Sequence, residues 1–177
     1  MTEPDSQLEE ELNAAHNLYP IGDHVTGVVT HIPRPGAIGL FVDLGRSPIG
    51  FVDVMNLPLS ADQWPAVGTM TEFEVLQHRR GQVRLWPLDS ALRSSRAGFP
   101  VMSESEWRVV KSRYPVGAGV AAEITDVFPV NREYFVTFDG LWSGLSWSGT
   151  PPVVGTTAQF AVDRHLDATR RIRLRRG

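Results

Sequence analysis

Short alternations of apolar and polar residues run through most of the chain, separated by glycine and proline. In GLFVDLG, Leu40, Val42 and Leu44 fall on one face of an extended strand and leave Phe41 beside Asp43 on the other. The same period of two places Tyr134, Val136 and Phe138 together and puts Phe135 and Thr137 opposite them. Breaks fall at IPRPGAIG, GRSPIG, NLPLSADQWPAVG and SGTPPVVG. Two stretches have a helical period instead. Ser6-Gln7-Leu8-Glu9 has the form of a capping box and leads into Leu8, Leu12, Ala15 and Leu18 on one face. Ser103-Glu104-Ser105-Glu106 repeats the device ahead of Trp107, Val110 and Tyr114. Both helical faces read most simply as packing surfaces.

The pattern occurs twice. Tyr19-Pro20-Ile21-Gly22 returns as Tyr114-Pro115-Val116-Gly117, and Phe41-Val42 as Phe135-Val136. Gly50 returns as Gly144. Val67-Gly68-Thr69, followed by Phe73, Val75 and His78, returns as Val154-Gly155-Thr156, followed by Phe160, Val162 and His165. Val83-Arg84-Leu85 matches Ile172-Arg173-Leu174. The anchors keep their order, and their offsets change only across loops, which points to a duplication.

Short strands at this spacing predict a small antiparallel barrel or sandwich in each copy. The expected organisation is an acidic N-terminal helix over 1–18, a first barrel over 19–86, a linker and helix over 87–113, and a second, more divergent barrel over 114–177. The linker is broken by Pro87, Gly98 and Pro100 and charged by Arg93 and Arg96.

The first copy resembles the S-one type RNA-binding domain, the unit repeated in the S-one protein of the small ribosomal subunit. The resemblance rests on Ile21-Gly22 leading into a strand, on Gly39 to Leu44, on Gly50-Phe51-Val52, on a short helical loop from Leu57 to Trp64, on the strand from Val67 to Val75, and on the closing Val83-Arg84-Leu85. It implies a mainly β protein of two tandem five-stranded OB barrels, each preceded by a short helix. It also implies single-stranded RNA bound on one face. In such a site bases stack on aromatic rings and basic side chains follow the phosphates. Phe41 stands at one of the family's stacking positions. Other positions depart from the pattern: Ile38 replaces the first aromatic and Asp53 replaces a binding histidine.

Aligned through the glycine anchors, Trp147 takes the place of Asp53 in the second copy and is expected near Phe135. Arg132, Trp142, Arg171 and Arg173 join them, so the second copy reads as the better equipped face. Phe41, Phe51 and Arg84 extend the path in the first. The same rings would equally serve as internal packing under a helix or the other barrel. Trp64, Trp86 and Trp107 read as packing residues.

Composition changes this picture in two respects. The net charge is −3, yet residues 1–24 carry six acids and no Lys or Arg. The rest of the chain therefore carries an excess of +3, and of its Lys and Arg residues all except Lys111 are arginine. Cysteine is absent, which excludes disulfides and thiolate metal sites. The acidic start is unlike a secretory signal, and no apolar run reaches membrane-spanning length, so a cytoplasmic bacterial protein is expected.

Gly117-Ala118-Gly119-Val120-Ala121-Ala122 matches a dinucleotide fingerprint as text, but it follows a helix and aligns with a strand start, where that motif does not work. His78 and His165 hold matching positions, which points to a shared structural role. No catalytic set, cofactor or metal site is expected. The reading is a non-enzymatic binder of single-stranded RNA or DNA. The alternative is a protein-interaction or regulatory module, an adaptor or immunity-type protein, using the same faces.

Overall fold

A computed structural model describes residues 3–79, 81–94 and 102–177. Arg96, Gly98 and Pro100 of the expected linker lie outside the described residues. The chain divides into two compact units, Met1–Arg96 and Ala97–Gly177. Both are mainly β, and each holds five strands and one α-helix among the described residues.

The first unit comprises α1 (Glu3–Leu18) and strands β1 (His24–His31), β2 (Gly39–Asp43), β3 (Ile49–Asp53), β4 (Met70–Arg79) and β5 (Gln82–Pro87). The strands close into a barrel in the order β1-β2-β3-β5-β4, with β4 returning to β1. β3 and β5 run parallel, and the other pairs are antiparallel. This is the five-stranded Greek-key order of an OB barrel. The alternation in GLFVDLG is realised: Leu40 and Val42 are fully buried, Phe41 is half-buried and Asp43 is exposed. The barrel core joins them to Val29, Val52, Phe73, Val75, Val83 and Leu85. Gly39 has φ +146°, and a Cβ there would strike the Val52 carbonyl, so only glycine lets β2 approach β3. In place of the expected helical loop stand two 3₁₀ turns, Val54–Asn56 and Ala61–Gln63. Trp64 packs into the core behind them and donates its indole N–H to Pro58 O at 2.7 Å.

The second unit comprises α2 (Glu104–Arg113), β6 (Gly119–Phe128), β7 (Glu133–Phe138), β8 (Leu141–Ser146), β9 (Thr157–Leu166) and β10 (Arg171–Arg176). Its sheet order, β10-β9-β6-β7-β8, matches the first unit strand for strand. β10 lies against β8, but among the described residues the two form no ladder, so the sheet is barrel-like without full closure. Tyr134, Val136 and Phe138 point into the core as the alternation requires. Trp107 of α2 is buried among them.

Helix α2 begins as its sequence predicts: Ser103 Oγ accepts the Glu106 N–H at 3.2 Å. Helix α1 is already helical at Glu3, ahead of the expected cap at Ser6. Among the described residues no helix is long and apolar enough to cross a membrane.

The duplication is written in the hydrogen bonds. Gly22 N–H donates to Val75 O at 2.7 Å, and its counterpart Gly117 donates to Val162 O at 2.8 Å. Gly68 donates to Val29 O at 2.7 Å, and Gly155 to Ile124 O at 2.8 Å. His78 Nε2 meets Tyr19 O at 2.7 Å, and His165 Nε2 meets Tyr114 O at 2.7 Å. A carbonyl only accepts, so in each case Nε2 carries the proton. These histidines tie the end of each helix to the fourth strand of its own sheet, which is the shared structural role their repeat positions suggested.

Candidate nucleic-acid interface

Each unit displays a row of rings across its sheet. In the first, β1, β2, β3 and β5 contribute in turn. His31 stacks on Phe41 with centroids 6.0 Å apart, and Phe41 meets Phe51 at 5.0 Å. The Arg84 guanidinium lies 4.7 Å over the Phe51 ring. The order follows from register: Phe41 pairs with Phe51, and Phe51 pairs with Arg84. Phe51 is only 5% exposed because its two neighbours cover it. Asp53 Oδ2 accepts from Arg84 Nη1 at 3.3 Å.

In the second unit the row runs over β6, β7, β8 and β10. Phe128 meets Phe135 edge-on at 5.2 Å, Phe135 meets Trp142 at 5.3 Å, and Arg171 lies 5.2 Å over the Trp142 ring. Arg171 Nε also donates to Thr169 Oγ1 at 3.1 Å, and Arg171 is only 8% exposed, so it props the ring from within rather than standing open as the sequence suggested. Beyond it β10 alternates: Ile172 and Leu174 are buried, while Arg173 and Arg175 lie on the outer side. Both reach toward Asp163, at 3.1 and 4.0 Å. The two phenylalanines at the heart of the rows are held alike. Thr30 Oγ1 donates to Phe41 O and Thr125 Oγ1 to Phe135 O, each at 3.4 Å beside an irregularity in the strand pairing.

The structure thus brings together Phe41, Phe51 and Arg84 in one unit, and Phe135, Trp142 and Arg171 in the other, with Arg173 further along β10. It does not bring Trp147 to them. Trp147 is 9% exposed and belongs to the core, edge-on to Tyr134 at 6.2 Å. Arg132 lies 5.8 Å from the Trp147 ring, so it too stands apart from the Phe135 row. The reason is register. Gly50 pairs with Val42, whereas Gly144 pairs with Phe135, so the glycine anchors are one position out of step. A slip of one residue moves a side chain to the other face of a sheet. Counted from the phenylalanines, the partner of Asp53 is Ser146, since Asp53 pairs with Gly39 and Ser146 with Glu133.

His31 and Phe128 were not singled out from the sequence. Both stand at the exposed ends of their strands, where alternation says least about orientation. Trp142, expected between two strands, lies within β8. Trp64, Trp86 and Trp107 are all buried, as their packing reading requires. Among the described residues no group of three or more His, Asp or Glu side chains gathers as a metal site.

The arrangement defines a class: a protein of two small β units, each carrying an aromatic row with an arginine at its end. No protein-family model matches the sequence. No curated protein matches it at a significant level. Among solved structures, it is similar to a multidomain protein with nucleic acid binding domains from Streptococcus pneumoniae, at 13% identity and a TM-score of 0.32, covering 86% of this chain and 50% of that one. The chain thus spans half the length of that protein. It is also similar to GSP13 from Bacillus subtilis, at 18% identity and a TM-score of 0.36 over 52% of this chain and 71% of that one. An uncharacterized protein from Methanocaldococcus jannaschii matches at 19% identity and a TM-score of 0.33, over 40% of this chain and 93% of that one.

Proposed function

We propose that this chain is a non-enzymatic binder of single-stranded nucleic acid, RNA in the first instance, with the second unit as the principal site. One observation carries the reading: Phe128, Phe135, Trp142 and Arg171 form a continuous row of ring contacts that ends in a guanidinium. Such a row offers π faces to bases of any identity, and the outward arginines of β10, Arg173 and Arg175, supply phosphate contacts. Successive outward residues of a strand stand about 7 Å apart, a spacing that suits neighbouring phosphates of an extended chain. Of the two arginines paired with Asp163, Arg175 is the more open, at 60% exposed.

The test is a tryptophan-fluorescence titration with short oligoribonucleotides at two salt concentrations. Binding at low salt, weakened at high salt, is the expected result. Trp142→Ala should cost about 1–3 kcal/mol for the base stacked there. Absence of binding at low salt, or binding indifferent to both Trp142→Ala and Phe135→Ala, overturns the proposal and leaves the row as a protein-contact surface. Competition between RNA and DNA of one sequence then reads the contribution of the 2′-hydroxyl.

A further inference from the structure

We infer that Asp53 closes the row of the first unit to phosphate and so sets how weakly that unit engages nucleic acid. The inference rests on reading the rows as nucleic-acid surfaces. Asp53 ends β3, and its Oδ1 accepts the Met55 N–H at 2.9 Å, capping the 3₁₀ turn that follows. That bond fixes the carboxylate and aims Oδ2 at Arg84 Nη1, 3.3 Å away. Arg84 is in turn pressed over Phe51, so the cation that ends this row is already held by an anion of its own chain. Asp43, exposed beside Phe41, adds a second carboxylate to the same face.

The pair is partly open to solvent, with Arg84 27% and Asp53 38% exposed. An approaching phosphate would therefore displace the bond at small cost. The carboxylate itself, pinned by Met55, would stay within a few ångströms of the phosphate and repel it. Like charges at that separation, both open to water, weaken binding on the order of tenfold at low salt.

Asp53→Asn tests this cleanly, because asparagine keeps the acceptor that caps Met55 and removes only the charge. The measurement uses the full chain, with Phe135→Ala and Trp142→Ala added to silence the second row. In that background Asp53→Asn should raise oligonucleotide affinity on the order of tenfold at low salt. It should also steepen the slope of log K against log salt by about 0.7, the value of one added phosphate contact to a single strand. Adding Arg84→Ala should abolish the gain. No gain from Asp53→Asn, or a gain that survives the loss of Arg84, overturns the inference. If the unaltered chain binds through Trp142 while Asp53→Asn changes nothing, the proposed function stands and this inference falls. If the unaltered chain fails to bind while Asp53→Asn creates an Arg84-dependent affinity, the reverse holds.

Discussion

His78 shows how much one buried side chain decides. Burial pushes its pKa down to about 4; the neighbouring His16, 4.0 Å away ring to ring, works in the same direction, and the bond to Tyr19 opposes them. The folded protein therefore holds His78 neutral where an unfolded histidine, titrating near 6.5, takes up a proton. The unfolded state binds more protons between these values, so stability falls as pH drops through that window and is insensitive to this group above it. Urea midpoints taken from pH 7 to pH 4 should reveal a loss approaching about 3 kcal/mol from His78. In His78→Gln, which can still donate to Tyr19 O, that part of the slope should vanish. Ile38 makes a second point at this scale. It is 55% exposed and sits at φ +63°, a conformation that a β-branched residue adopts only under strain. Relieving that strain with Ile38→Gly should cost nothing and raise the thermal midpoint, the reverse of the usual loss when glycine replaces a larger residue.

Among the elements, those legible from sequence were the ones whose pattern is local. The alternation of GLFVDLG and its partner over 134–138 stated which side chains enter the core, because a strand's period needs no knowledge of its neighbours. The cap at Ser103 was equally plain, and Ser103→Ala should cost about 1 kcal/mol, read as a lower urea midpoint. Register was not legible. Gly50 and Gly144 look equivalent as text but pair with non-equivalent residues, and this one step carried Trp147 from the expected outer row into the core. Nor could the sequence show that Arg84 lies within reach of Asp53, since β3 and β5 meet only through a parallel pairing that joins distant segments.

For the whole molecule, a net charge of −3 says little about binding, because charge acts where it is placed. If Arg173 and Arg175 each hold one phosphate, log K for oligonucleotide should fall with log salt at a slope of about −1.4. A far steeper slope would mean that basic residues beyond β10 take part. The duplication was legible at this scale because its anchors kept their order.

The paired bonds from His78 to Tyr19 O and from His165 to Tyr114 O have a practical consequence. Backbone groups and a histidine that recur in both halves tie each helix to its sheet, while the residues of the two rows differ on top of it. Each half is therefore a chassis on which the other's row could be installed. Transplanting the Phe128, Trp142 and Arg171 set to the first half would place the same row on both halves, using parts the chain already contains.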